Sequence, residues 1–342
     1  MTKFNWKKTA KPVIILAPMD GWSNSPMRQA IKKITPEVIT FTEFVSVDGL
    51  THKNRSKNLL QKAIYHEKTE KPLIVQLFGK DPEKFALASS MMEEMGAGAI
   101  DINFGCPARK VVGHKNGAYL LQEPDLAYEI VRQTKAATNL QVSVKTRLGW
   151  DNPEQIFDFG ELMIKAGADA LTIHGRTAKQ AFTGEADYTN IYKFKKLHPD
   201  FIVIGNGDIK DRTKSMELAS KLDGFMIGRE ANANPFIFKQ ILEPDFTPSL
   251  NDKIELVLFQ AQLAQEQNGQ AGVIAMRKFF AFVVRGLEGA SEYRKELMQV
   301  DNIDEARRIF TKIKNEFGKN RSLAFFYYYR SRDLWSCDDL IS

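Results

Sequence analysis

Cysteine is scarce in this sequence: only Cys106 and Cys337 occur in 342 residues, and neither belongs to a CxxC pair or a Cys/His cluster. A disulfide framework and a thiolate metal site therefore have nothing to build on, no metal is expected, and a reducing cytoplasm is the expected setting. Long apolar runs are missing too. The stretch Val13 to Met19, which follows a lysine-bearing start, is too brief for a signal segment or a spanning helix, so no membrane role is expected. Residues 251–342 also lack a low-complexity segment and an obvious sequence repeat.

What is present is a chain that is 43% hydrophobic, enough to bury one large core and a smaller one. Forty-eight basic residues stand against forty-two acidic ones, a formal charge of +6 that favours a polyanionic partner without proving one.

Eight short runs rich in β-branched residues recur along the first two thirds: Val13 to Met19, Val38 to Phe44, Leu73 to Phe78, Ala99 to Asn103, Gln141 to Arg147, Ala170 to His174, Phe201 to Asn206 and Gly224 to Gly228. Between them, segments such as Pro82 to Met95, Pro124 to Ala137, Pro153 to Ala166 and Arg212 to Lys221 carry apolar residues three and four apart, the spacing of amphipathic helices. Eight strand and helix units predict an α/β fold of the (β/α)8 TIM-barrel type within residues 1–245. Beyond Pro244 and Pro248 the strands stop, and Ile254 to Gln267, Val273 to Leu287, Ile303 to Phe317 and Leu323 to Arg330 read as helices. Residues 251–342 are thus expected to form a small helical bundle. Its aromatic tail, Phe325 to Tyr329, reads as packing in preference to a stacking surface.

A barrel of this kind places its chemistry on the loops at the C-terminal strand ends. Those ends carry Pro18 and Met19, Thr42 and Glu43, Gln76, Asn103 to Pro107, Lys145 and Arg147, His174 to Arg176, Asn206 to Asp208, and Gly228 with Arg229. Glycine beside hydrogen-bond donors in the last two loops lets backbone N–H groups approach a phosphate; the Asp208 backbone would contribute there and Arg229 would supply charge. Lys145 suits the anionic edge of a reduced flavin, Gln76 can donate and accept at an imide edge, and His174 can bond a ring carbonyl. Each has a bland reading as a tight turn, a solvated lysine or a structural histidine. Together on ordered strand ends they point to flavin mononucleotide.

Cys106 follows the fourth strand in Asn103-Phe104-Gly105-Cys106-Pro107, a loop bent by glycine and proline. A thiol with an ordinary pKa is mostly protonated at neutral pH and can act as a general acid. A nucleophile would need a catalytic histidine partner, which the sequence does not display, and an inert buried thiol is the reading for a cysteine outside such a loop.

These residues resemble the dihydrouridine synthases over almost the whole barrel. The likeness is carried by Ala17 to Gly21, Thr42-Glu43, Gln76 to Gly79, Asp101 to Val111, Val144 to Trp150, His174 to Thr177, Asn206 to Ile209 and Met226 to Arg229, eight strings in order at barrel-strand spacing. The resemblance implies FMN bound by Pro18, Met19, Gln76, Lys145, His174, Asn206, Gly207, Asp208, Gly228 and Arg229. It further implies NADPH (or NADH) as electron donor, a uridine of tRNA as substrate, hydride delivered to C6 and a proton from Cys106 to C5. Asn103 and Arg176 would hold the uracil and its sugar-phosphate. The helical segment resembles the family's RNA-binding domain through Arg277, Lys278 and Arg294. Alternative substrates are ribosomal RNA and free pyrimidines; a non-catalytic RNA-binding protein is the reading from another class. A monomer is expected.

Overall fold

The computed structural model describes residues 3–53 and 68–317. Among the described residues nine strands lie in one parallel sheet: β1 (Val13–Leu16), β2 (Ile39–Phe41), β3 (Val45–Ser46), β4 (Leu73–Phe78), β5 (Ala99–Phe104), β6 (Val142–Arg147), β7 (Ala170–His174), β8 (Ile202–Asn206) and β9 (Gly224–Ile227). The pairings β1–β9 and β2–β4 close eight of them into a ring, a (β/α)8 barrel, and leave β3 as a short continuation of β2 along β4. Thr40 pairs with Leu73 and Phe41 with Ile74, whereas Val45 pairs with Leu77 and Ser46 with Phe78. From Phe41 to Val45 the chain advances one residue more than its partner does. That is a bulge, and bulges re-aim side chains at barrel rims. Here the Glu43 carboxylate accepts the Gly21 N–H at 2.5 Å, tying the rim of β2 to the loop after β1.

Alternation along the strands sorts the barrel interior into two storeys. The lower one is apolar: Val13, Ile15, Ile39, Phe41, Ile74, Ala99, Ala170, Ile202, Ile204 and Met226 form one cluster that Phe4 and Trp6 join. Phe4 donates its N–H to Gly98 O, and Trp6 N–H reaches Gln141 Oε1, so the start of the chain is part of this core. Two residues further along β4 and β5, Ile74 gives way to Gln76 and Ala99 to Asp101 and then Asn103, and the interior turns polar.

By internal contacts the chain divides into two units: Met1–Ser25 with Glu37–Gly228, and Pro26–Pro36 with Arg229–Ser342. The second is helical: Arg229–Ala233, Ile237–Leu242, Leu250–Val283, Ala290–Leu297 and Ile303–Phe317, with most of the helix Ser25–Ile34. Ala30 packs in one cluster with Phe236 and Leu256. Ser249 opens Leu250–Val283 with a capping box closed by Asp252. This run is two helices in fact, because Gly269 has φ 58° and ψ −140°, a conformation essentially reserved for glycine. The expected helices Ile254 to Gln267 and Val273 to Leu287 fall on either side of it. Leu323 to Arg330 and the aromatic tail lie outside the described residues.

The fold at Gly269 brings Gly272 against the preceding helix: a Cβ there would sit 1.9 Å from the Ala264 carbonyl oxygen. Gly272→Ala is therefore expected to destabilise the helical unit by about 3 kcal/mol, because a backbone atom must move to admit it. Gly289→Ala, where φ is 69° and nothing lies within 4 Å, should lose only about 1 kcal/mol. Thermal melts of the two variants against the parent check the difference.

Candidate active site

The loop bearing Cys106 is held from three sides. From the barrel interior, Asn103 Oδ1 accepts the N–H groups of Gly105 (3.0 Å) and Cys106 (2.9 Å). From β6, the buried Arg147 donates Nε to Gly105 O at 2.8 Å and a terminal nitrogen to Thr177 O (3.0 Å) and Ala181 O (2.7 Å). Arg147 thereby fastens the loop after β5 to the loop after β7. From the buried turn Gly117–Gln122, Ala118 N–H meets Cys106 O at 3.0 Å, and this close approach needs Gly117, with φ 61°, since a Cβ would stand 2.9 Å from that same oxygen. Cys106 as a residue is only partly exposed. Burial pushes its pKa up, while the Ala108 N–H and the charges of Arg147 and Lys145 pull down and Asp20 pushes up again. The net result is a thiol that keeps its proton at neutral pH.

Beneath it lies a polar storey. Asp101, fully buried, accepts from Ser143 Oγ at 2.6 Å and from Gln76 Nε2 at 2.7 Å, while Gln76 Oε1 accepts from Asn103 Nδ2 at 3.0 Å. Burial pushes the Asp101 pKa up to about 6, against the hydrogen bonds from Ser143 and Gln76 and the attraction of Lys145, so the group is mostly ionised at neutral pH. Lys145 stands on the neighbouring strand, its Cα opposite that of Asn103. Burial and then the charge of Arg147 press its pKa down to about 8, against the pull of Asp101 and Cys106. It remains a cation at pH 7. Among the described residues, its ammonium has no hydrogen-bond or ion-pair partner.

The loops after β7 and β8 form a second group. Gly207 has φ 116°, and a Cβ on it would lie 2.9 Å from His174 Nε2 and from the Ala186 methyl. Only glycine lets this backbone lie against the imidazole. Its carbonyl takes the Tyr188 hydroxyl. Asp208, with φ 48°, turns its carboxylate to the buried Arg176, which grips both oxygens at 3.1 and 2.5 Å, and one of these also accepts the Ala186 N–H at 2.9 Å. Arg176 directs further donors to Thr183 O (3.1 Å) and Gly184 O (2.6 Å) and is only 2% exposed. Asn206 Nδ2 bonds Met226 O at 2.8 Å. Gly228 ends the ring beside Met19 Sδ, 3.4 Å from where its Cβ would be, and Pro18 directly precedes that methionine. Arg229 opens the helix Arg229–Ala233 of the second unit.

The structure thus gathers Gln76, Asn103, Cys106 and Lys145 into one cluster and His174, Arg176, Gly207 and Asp208 into another. In the helical unit, Arg277 donates to Val300 O (2.9 Å), Gln299 O (3.2 Å) and Asp301 Oδ1 (2.7 Å), so its charge is engaged within the fold. Lys278 lies 5.5 Å over the Phe279 ring, and Arg294 is exposed on Ala290–Leu297. Asp101 and Ser143 were not singled out from sequence, although a carboxylate inside the run Ala99 to Phe104, alternating with Ala99 and Asn103, was the available signal. Arg147 was visible as a strand-end residue without a partner to explain it.

The chemistry of this donor set fits a flavin nucleotide: an uncommitted ammonium in the barrel mouth for an electron-rich ring edge, and a glycine cradle after β8 for close backbone contact. Among the described residues no group of three or more His, Cys, Asp or Glu is placed to hold a metal ion, and no helix is long and apolar enough to cross a membrane.

A closed (β/α)8 ring with a thiol, a lysine and two glycine-bearing loops at its C-terminal rim is the frame of a barrel enzyme. The sequence model of the family described as dihydrouridine synthase matches residues 15–318. The chain is 32% identical over 323 residues to a protein of Staphylococcus aureus (strain COL) named probable tRNA-dihydrouridine synthase, covering 92% of this chain and 97% of that one. It is 30% identical over 325 residues to probable tRNA-dihydrouridine synthase 2 of Bacillus subtilis (strain 168), covering 93% and 98%. The chain belongs to the dihydrouridine synthase family.

Proposed function

We propose that this chain reduces uridine in tRNA to 5,6-dihydrouridine in the cytoplasm, with Cys106 as the proton donor. The observation that carries the reading is the loop of Cys106, its backbone fixed by Asn103, Arg147 and Gly117, near the Lys145 ammonium, which has no hydrogen-bond or ion-pair partner among the described residues. When bound, flavin mononucleotide, reduced in turn by NADPH, supplies the hydride that reaches C6 of the uracil. Lys145 would hold the flavin's anionic ring edge, the second amide N–H of Gln76 and the His174 ring its carbonyls, and Gly207, Gly228 and Arg229 its phosphate.

Cys106 Sγ gives its proton to C5 and is left as a thiolate, which the charges of Arg147 and Lys145 favour and which water then reprotonates. We assign Arg176 a positioning role through Asp208, since four of its N–H groups are already engaged by the loops around Gly207. The target uracil must leave its stack to enter a barrel mouth, and we assign the helical unit to holding the RNA while it does. Arg294 is offered as a phosphate contact there, ahead of Arg277, whose charge Asp301 neutralises.

The test supplies the purified chain with FMN and NADPH and compares unmodified tRNA with free uridine, reading dihydrouridine by mass spectrometry of the digested product. Product is expected in tRNA only. Equal turnover of the free nucleoside would remove RNA from the reading.

A further inference from the structure

Asp101 and Ser143 touch neither the thiol nor its loop, yet a single line of hydrogen bonds joins them to it. The N–H groups of Gly105 and Cys106 donate to Asn103 Oδ1, at 3.0 and 2.9 Å. Asn103 Nδ2 donates to Gln76 Oε1 at 3.0 Å, and Gln76 Nε2 donates to Asp101 Oδ2 at 2.7 Å. Ser143 Oγ closes the far end on Asp101 Oδ1 at 2.6 Å. All four side chains are buried.

Each link has a direction, and the directions agree. A primary amide offers a donor end and an acceptor end, whereas a carboxylate only accepts and a backbone N–H only donates. The two loop N–H groups require Asn103 to present its oxygen, which turns its nitrogen to Gln76. The Asp101 carboxylate requires Gln76 to present its nitrogen, which turns its oxygen to Asn103. The two demands start from opposite ends and meet without conflict between Asn103 and Gln76. Reversing either amide would set two acceptors or two donors face to face in a buried site, which is destabilising.

We propose that Asp101, with Ser143, is a positioning residue for the proton donor: it fixes the polarity of the Gln76–Asn103 amide line, and that line holds the Gly105–Cys106 backbone. The proposal rests on the reading of Cys106 as the acid, but it concerns how the loop is held and is tested without flavin or RNA. It also explains why a carboxylate is kept at the centre of the barrel, where burial works against its charge.

Swapping two near-isosteric residues tests the polarity. Asp101→Asn can still accept from Gln76 and donate to Ser143 Oγ, so the line survives. Asn103→Asp accepts from the loop, but while both carboxyls are ionised, as they are in exchange run on the alkaline side of neutral, two acceptors meet wherever the Gln76 amide turns. In Asp101→Asn/Asn103→Asp the line is whole again with Gln76 reversed: the amide now at position 101 donates to Gln76 Oε1, and Gln76 Nε2 donates to the carboxylate now at position 103.

Amide hydrogen exchange of the segment containing Gly105 and Cys106, followed by mass spectrometry on the full chain, reads the hold on the loop directly. Iodoacetamide labelling of Cys106 in a Cys337→Ser background gives a second readout. Asn103→Asp should exchange about tenfold faster than the parent, and Asp101→Asn and the swap should stay within about twofold of it. Parent-like exchange in Asn103→Asp or no recovery in the swap would each overturn the proposal. If Cys106 is not the acid, Cys106→Ala keeps its turnover whatever these exchange rates show, so the two readings fail separately.

Discussion

Cys106→Ala is expected to lower dihydrouridine formation about a thousandfold, within the span ordinarily contributed by a positioned general acid. Flavin absorbance and RNA affinity should be unchanged, because the loop backbone is held through Asn103 Oδ1, Gly105 O and Ala118 N and not through the thiol. Single-turnover reduction of tRNA by the prereduced enzyme isolates the step. The pH profile carries the same information with a definite sign. Because burial raises the thiol pKa, the competent protonated form persists through neutral pH, and the rate should fall only on the alkaline side, beyond the ordinary thiol range. A rate rising with pH through that range would make the thiolate the active form and the nucleophile reading the right one. Full rate in the alanine variant would mean that another group supplies the proton.

Lys145→Met should weaken flavin binding by roughly 10- to 100-fold, the range for losing a charge-assisted hydrogen bond. The estimate rests on Lys145 lacking a partner within the described protein, so the substitution breaks no internal ion pair and the effect falls on the ligand. Burial and Arg147 have brought its pKa down to about 8, which places its loss of charge inside an accessible window. Flavin affinity of the parent should therefore drop as pH rises through about 8, with the protonated form the binding one. The methionine variant should show a flat profile across the same interval. Quenching of flavin fluorescence on binding measures both. A parallel pH dependence in parent and variant would assign the titration to another group.

Much of the barrel was legible because its signals are local. All eight expected strands coincide with observed ones within a few residues, since β-branched runs bounded by polar residues and amphipathic spacing are properties of neighbouring positions. The bulge after Phe41 was not legible, as it exists only relative to the register of β4. Ala290–Leu297 escaped notice for a different reason: it buries only Tyr293 and Leu297, too few residues to set a period.

The site divides in the same way. The strand-end positions of Gln76, Asn103, Cys106 and Lys145 follow from the strand pattern, so their convergence could be expected. Which partner each charge would choose could not. Arg176 lies 32 residues before Asp208 and Arg277 lies 24 before Asp301, and nothing in the linear order says that either arginine commits its charge inside the fold. Asp101 stayed hidden because a carboxylate in a strand is ordinarily a solvated edge, and only closure of the ring encloses it.

The helix Ser25–Ile34 belongs by its contacts to a unit whose remaining members begin at Arg229. On a ribosome this segment emerges early, and Ala30 must wait some two hundred residues for Phe236 and Leu256, on the order of ten to forty seconds at ordinary elongation speeds. During that interval an apolar helix face is exposed without its native cover. The first unit is fully synthesised once Gly228 is made, but the segment from Pro26 to Pro36 must wait for the later helices of its own unit, and cutting the chain at any single peptide bond would leave one unit short of a part.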